Sequence, residues 1–140
     1  IKDLRSLNVK IKFITDGDVS GAISVADPDS NIDIYLGIGG GPEGVLAAAA
    51  LSCLGGQIQT RLVLNKNEEI RAKKLGIKEI DKKYNIDDMV KGDVIFCASA
   101  ITNGDIVDGI KDLKNKYEVS TFALHKHEKL SKKIKNYHPK

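Results

Sequence analysis

Tryptophan is absent from the 140-residue sequence, and aromatic residues make up only 5% of it. A core built on large rings is excluded, so burial must come from Ile, Leu, Val and Ala. Only two cysteines are present, Cys53 and Cys97. They are far apart and form no C-x-x-C pair, which fits two free, packed thiols in a reducing cytoplasm. The longest apolar run, Val45 to Leu51, is far shorter than the roughly 20 residues that a membrane helix needs. No charged-then-apolar leader opens the chain, so neither a secretion signal nor a membrane partner is expected. The start at Ile1 instead of Met points to an upstream segment that has been removed or omitted.

What is present is ordinary for a globular domain: 41% hydrophobic and 29% charged residues, in a length that suits one compact unit. The net charge of +3 is unevenly spread. Residues 111–140 hold nine Lys and three Asp or Glu, against 13 Lys or Arg and 16 Asp or Glu in residues 1–110. Only Tyr117, Phe122 and Tyr137 offer stacking rings in the basic stretch, so it reads as a solvated face and nucleic acid is not an expected partner.

Strand and helix signals alternate without repeats. Val9–Thr15, Ile32–Ile38, Gln57–Leu64, Asp93–Ala100 and Val119–Leu124 read as strands, and Asp93–Ala100 as one buried on both faces. Helices are expected over 18–26, 42–54 and 106–113, with Pro42 in the first turn of the second and Gly55-Gly56 as its stop. Residues 65–92 read as charged and mostly helical or irregular. The expected fold is α/β, with a mostly parallel or mixed sheet flanked by helices. Residues 1–125 would form the substrate and metal domain, and residues 126–140 a basic tail or edge strand.

Three acid- and glycine-bearing loops follow strands: Asp16-Gly17-Asp18, Gly39 to Gly44, and Asn103-Gly104-Asp105. Ligands of open α/β sheets bind beyond the carboxyl ends of strands, so three such loops on one edge would make one pocket. Successive glycines at Gly39, Gly40 and Gly41 let backbone approach a ligand, and the N-terminus of the next helix favours an anion such as phosphate. Glu43 in its first turn can ligate a metal or merely complement the helix dipole. Asp16 and Asp18 can grip sugar hydroxyls or share a cation, or they can serve as a turn and a helix cap. Asn103-Gly104 is also a plain turn signal. Gly39, Gly41 and Gly44 match the spacing of a dinucleotide loop, but Leu64 and Asn65 stand where that motif needs an acid. His125 and His127 lack a third ligand at suitable spacing and read as a surface strand end.

Three segments carry a resemblance: TDGDVSGAI (15–23), GIGGGPEGVLAAAALSCLGGQIQTRL (37–62) and KGDVIFCASAITNGD (91–105). In content, order and separation they resemble class II fructose-1,6-bisphosphatases, of the lithium-sensitive, metal-dependent phosphatase superfamily, and the likeness spans Ile1 to Leu124. It implies the C-terminal half of an α/β enzyme that removes the 1-phosphate of fructose 1,6-bisphosphate in gluconeogenesis, aided by Mn²⁺ or Mg²⁺. Some relatives also take sedoheptulose 1,7-bisphosphate, and homo-oligomers are common. By motif match, Asp16, Gly17, Asp18 and Gly40 fall on substrate positions and Glu43 on a metal ligand. The family's other metal carboxylates, its water-activating threonine and a Lys/Arg substrate element belong to an N-terminal domain, so the catalytic residues are expected there. Two departures stand out: Asn103 replaces a family acid, and LHKHEKLSKKIK replaces an Arg-bearing strand. A non-catalytic sugar-phosphate-binding module and a dinucleotide-binding domain are the alternative readings.

Overall fold

A computed structural model describes residues 1–15 and 18–140. It contains five helices and six strands among those residues: α1 (Lys2–Ser6), α2 (Asp18–Ser24), α3 (Gly41–Leu54), β1 (Thr60–Arg61), α4 (Lys66–Lys74), β2 (Lys83–Tyr84), α5 (Ile86–Met89), β3 (Ile95–Ser99), β4 (Lys111–Leu113), β5 (Lys116–His125) and β6 (Leu130–Pro139). The fold class is α/β, as the alternation of signals suggests. No described helix is long and apolar enough to cross a membrane.

The strands run antiparallel in both sheets, where the sequence pattern suggests a mostly parallel or mixed arrangement. Chain length between neighbours explains the difference. β4 and β5 are joined by Lys114-Asn115, and β5 and β6 by residues 126–129. Connections this short can only reverse the chain, because a parallel crossover needs a dozen residues or more. β5 is the spine of the larger sheet: β6 lines one edge along its whole length, while β4 and β3 share the other. β1 and β2 form a separate two-residue pairing.

α3 lies across one face of this sheet. Its sequence is apolar almost all round, as suits a helix covered on several sides. Ala50 packs with Phe96 of β3, Phe122 and Leu124 of β5, Val107 and Ile23, and Cys53 and Leu54 fill in at the edge. A second cluster joins Ala47 and Leu51 of α3 to Ala22 of α2, with Ala26, Tyr35, Ile58 and Ile86 around it. α3 ends as expected, with Gly55 in the left-handed conformation at φ 74°. α4 and α5 each start with an asparagine capping box, Asn65 with Glu68 and Asn85 with Asp88.

Five local expectations fail. Residues 9–15 and 32–38 form no strand among the described residues, and Phe13, Ile34, Leu36 and Ile38 are exposed at 61%, 70%, 66% and 82%. Alternating apolar side chains require a covering layer, and the described residues supply none over them. Residues 57–64 pair only at Thr60 and Arg61. Residues 106–113 form an irregular loop ending in β4, because Gly109 folds back against Thr102 and Asn103 and the Asn103 side chain accepts its N–H at 2.9 Å. β3 is covered on one face only: Phe96 is buried, while Ile95 and Cys97 on the other face are exposed. Cys97 is therefore not the packed residue that its apolar run suggests.

The open end of β3 is held by polar contacts instead. Asp93 Oδ2 lies 2.7 Å from His125 Nε2, and Asp93 Oδ1 accepts the backbone N–H groups of Val94 at 2.9 Å and His127 at 3.0 Å. Lys126 N donates to Val94 O at 2.9 Å. Farther along the same strand pair, the Ser99 and Thr121 hydroxyls meet at 2.7 Å.

Two outcomes follow from this packing. Leu124 is 1% exposed, so Leu124→Ala should lower the unfolding free energy by about 2–5 kcal/mol in a urea titration. The hydrogen bond from His125, reinforced by the His127 and Val94 N–H groups against desolvation, holds the Asp93 carboxyl below its ordinary value. Its contribution is present above the unfolded carboxyl pKa and is lost as pH falls below about 4, through the lower native value. Asp93→Asn should flatten the loss of the urea midpoint below that pH; an unchanged acid slope would show that the contact contributes nothing.

Candidate functional site

The expected phosphate-facing element is built as its residues dictate. Gly40 is the N-cap of α3 with extended backbone (φ −69°, ψ 152°), Pro42 stands in the first turn, and Gly44 N donates to Gly40 O at 3.1 Å. No side-chain cap bond closes the helix start. Pro42 has no N–H, so the first-turn donors left to face outward are those of Gly41 and Glu43. They sit at the positive end of the helix dipole, where an anion is favoured.

Glu43 is exposed, and its carboxylate folds back over Gly40. A Cβ on residue 40 would meet that carboxylate, which is the far end of a flexible, exposed side chain and can swing aside. Backbone donors and a carboxylate share one small exposed surface, able to receive an anion and a cation side by side. Asp16 and Gly17 lie outside the described residues, as does the Asp18 side chain. Asp18 itself opens α2, and α2 packs against α3 through Ala22, Ala47 and Leu51. The backbone therefore joins the helix that begins at Asp18 to the helix that begins at Gly41.

The third loop has a different part. Asn103 holds Gly109 by its side chain, and Asp105 pairs with Lys12 at 3.2 Å, both partners largely exposed. Gly104 to Asp108, Ser120 and Lys133 to Lys135 line a shallow cavity of about 420 Å³. The Lys135 amine there is already placed near Asp108 and Glu118. This cavity shares only Gly104 and Asp105 with the loops singled out from sequence. His125 is engaged by Asp93, consistent with a strand end and not with a metal. Cys53 Sγ lies 3.7 Å from Val94 O, and burial pushes its thiol pKa up, away from a reactive thiolate.

No group of three or more His, Cys, Asp or Glu among the described residues could hold a metal ion. Glu43 can be one ligand but not a site. A dinucleotide fold is also unsupported: the glycine loop is not preceded by a formed strand, and no described sheet is parallel. The residue that sequence reasoning passed over is Tyr35, which packs, half-buried, against the cluster of Ala22, Ala47 and Leu51. The glycines at 21 and 37 were the available signal, since both lie against that ring.

Comparison with known proteins agrees with the motif reading. The family described as bacterial fructose-1,6-bisphosphatase, glpX-encoded, matches residues 1–138. The class 2 fructose-1,6-bisphosphatase of Haemophilus influenzae is 35% identical over 153 aligned residues, covering 99% of this chain and 46% of that protein. The D-fructose 1,6-bisphosphatase class 2/sedoheptulose 1,7-bisphosphatase of Trichodesmium erythraeum is 32% identical, covering 99% and 44%. The protein of the same name from Synechocystis is 37% identical, covering 79% and 36%. The chain thus spans less than half the length of the curated relatives it matches. With residues 1–138 matched, the chain belongs to the bacterial, glpX-encoded fructose-1,6-bisphosphatase family.

Proposed function

We propose that this chain is the substrate-side half of a phosphoric monoester hydrolase that removes the 1-phosphate of fructose 1,6-bisphosphate. The observation that carries the reading is the start of α3, where Gly40 leaves space for Glu43 and the first-turn N–H groups face outward. In this reading those donors and the Gly40 backbone receive a phosphate oxygen. Asp16 and Asp18, with Gly17 between them, accept hydrogen bonds from sugar hydroxyls and fix the ring. The Glu43 carboxylate faces a divalent ion, Mn²⁺ or Mg²⁺.

The donor set present is incomplete for that ion, so no chemical step is assigned through it. The remaining ligands and the water-activating group belong, in this proposal, to the part of the relatives that this chain does not match. That part also gives a physical role to the exposed apolar residues Phe13, Ile34, Leu36 and Ile38, which would lie beneath it. Residues 1–125 carry the site, and residues 126–140 close the sheet. A cytoplasmic homo-oligomer acting in gluconeogenesis is the setting we assign. Sedoheptulose 1,7-bisphosphate has the same terminal phosphate chemistry and is the second substrate to assay. For the chain by itself, the incomplete donor set favours a binding role without turnover.

The test is phosphate release from fructose 1,6-bisphosphate, with and without Mn²⁺. The chain alone should release none, and the full-length protein should be active. Metal-dependent release by the chain alone would show that ligands have been misassigned. No release by the full-length protein would favour a binding module. In the full-length protein, Glu43→Ala should abolish most turnover and weaken metal binding, and near-normal metal dependence would remove Glu43 from the site. Asp18→Ala should chiefly raise KM; unchanged KM and kcat would leave it a helix-capping residue.

A further inference from the structure

Between the 104–108 loop and β6 the structure holds a cavity of about 420 Å³. That volume falls in the range of small-molecule sites and far exceeds the roughly 30 Å³ of one water molecule. Its wall is built from anchored residues. Val107 is buried in the core cluster with Phe122 and Leu124, and Ile106 packs against the same cluster. The loop is closed by Gly104 N on Val107 O at 3.2 Å and by Gly109 N on Asn103 Oδ1 at 2.9 Å. The apolar wall is thus in place before anything binds.

Two polar groups of the lining are left over. Ser120 of β5 is 5% exposed, and its Oγ has no hydrogen-bond partner among the described residues. An unpaired buried hydroxyl costs stability, and folded proteins carry few of them. The strand register sets this one beside two lysines. Ser120 stands opposite Lys135, and Phe122, two residues along the same face, stands opposite Lys133. Diagonal neighbours of this kind are within reach of long side chains. Each acid of the lining already has a lysine: Asp105 pairs with Lys12, and Asp108 with Lys111 and Lys135. Lys133 forms no ion pair among the described residues, so its ammonium is the uncompensated charge of the lining. The Ser120 Oγ is covered in this state. Lys135, opposite it, is held only by ion pairs of 3.6 and 3.9 Å from a largely exposed position, and such an arm moves aside at little cost.

We propose that this cavity is a binding site for the oxyanion of a small molecule, a carboxylate or a phosphate. Lys133 supplies the opposing charge, and the Ser120 hydroxyl donates the hydrogen bond it lacks. Ile106 and Val107 form the apolar wall behind the ligand. Charge-assisted hydrogen bonds are the stronger kind, which suits an anion over a neutral ligand.

The test uses the full-length protein with labelled Ile and Val methyl groups, titrated with inorganic phosphate and with succinate at constant ionic strength. The methyl signals of Ile106 and Val107 should shift saturably with at least one probe. A response to phosphate alone identifies a phosphorylated ligand, and a response to succinate alone a carboxylic acid. Ser120→Ala and Lys133→Gln should each raise the midpoint of that titration about tenfold. Both should leave unchanged any response of Ile38 and Val45, which flank the Gly40 loop. Without a probe, Ser120→Ala should keep or raise the thermal midpoint, because its Oγ has no partner to lose. The proposal is overturned if Ile106 and Val107 shift with neither probe, or if their shift survives both substitutions. It is also overturned if Lys133→Gln alone weakens binding, which marks a surface lysine collecting anions. A lower thermal midpoint in Ser120→Ala would overturn it too, by revealing an internal partner for Oγ.

Discussion

The structure depends on one contact surface, that of the alanine-rich helix α3 with the sheet below it and α2 beside it. Ala48 and Ala50 are fully covered, and Leu51 nearly so. Small side chains let the neighbouring elements come close, and close approach is what brings Phe96, Phe122 and Leu124 into contact with the helix. The same helix carries the glycine loop at its N-terminus. Whatever steadies α3 therefore also steadies the exposed donors and Glu43. Packing and site geometry are two consequences of the same buried interface.

What could be read from sequence divides along physical lines. α3 was legible because every signal for it is local: glycines and Pro42 at its start, an apolar body, Gly55 at its end. β5 was legible in outline because Val119, Phe122 and Leu124 are intrinsically strand-forming. The candidate site was legible for the same reason as α3, since Gly40 and Glu43 lie within one helical turn. Residues 9–15 and 32–38 show a strand's alternation, but pairing is a property of two segments, and no described segment pairs with either. Helical spacing at Ile106, Val107 and Ile110 misled because Gly109 must close a turn against Thr102 and Asn103. Strand direction was set by the lengths of connections, which the pattern of apolar residues does not record. Asp93 and His125 are 32 residues apart, so no window of sequence joins them, and Tyr35 looked like one more apolar strand position.

The family relationship and the physical reading reinforce each other at particular residues. Gly40 and the Glu43 carboxylate lie against each other at the start of α3, within one helical turn. Phe13, Ile34, Leu36 and Ile38, all exposed, lie in the two segments that alternate as strands without becoming strands.

The basic C-terminal strand has a consequence for how copies of this chain meet. β6 borders the larger sheet, and its outer edge carries backbone groups unpaired among the described strands. Such an edge is a template for another strand. Between residues 129 and 140 there is no acidic residue, and Lys129, Lys132 and Lys133 stand along or beside it, while Lys135 and Lys140 are paired with acids of neighbouring elements. Two such edges aligned antiparallel would set ammonium groups opposite one another, so the strand repels its own kind at low ionic strength. That protection is purely electrostatic, and it fades as the Debye length contracts with added salt. Concentrated, salty solutions are therefore where self-association through this edge would first become favourable.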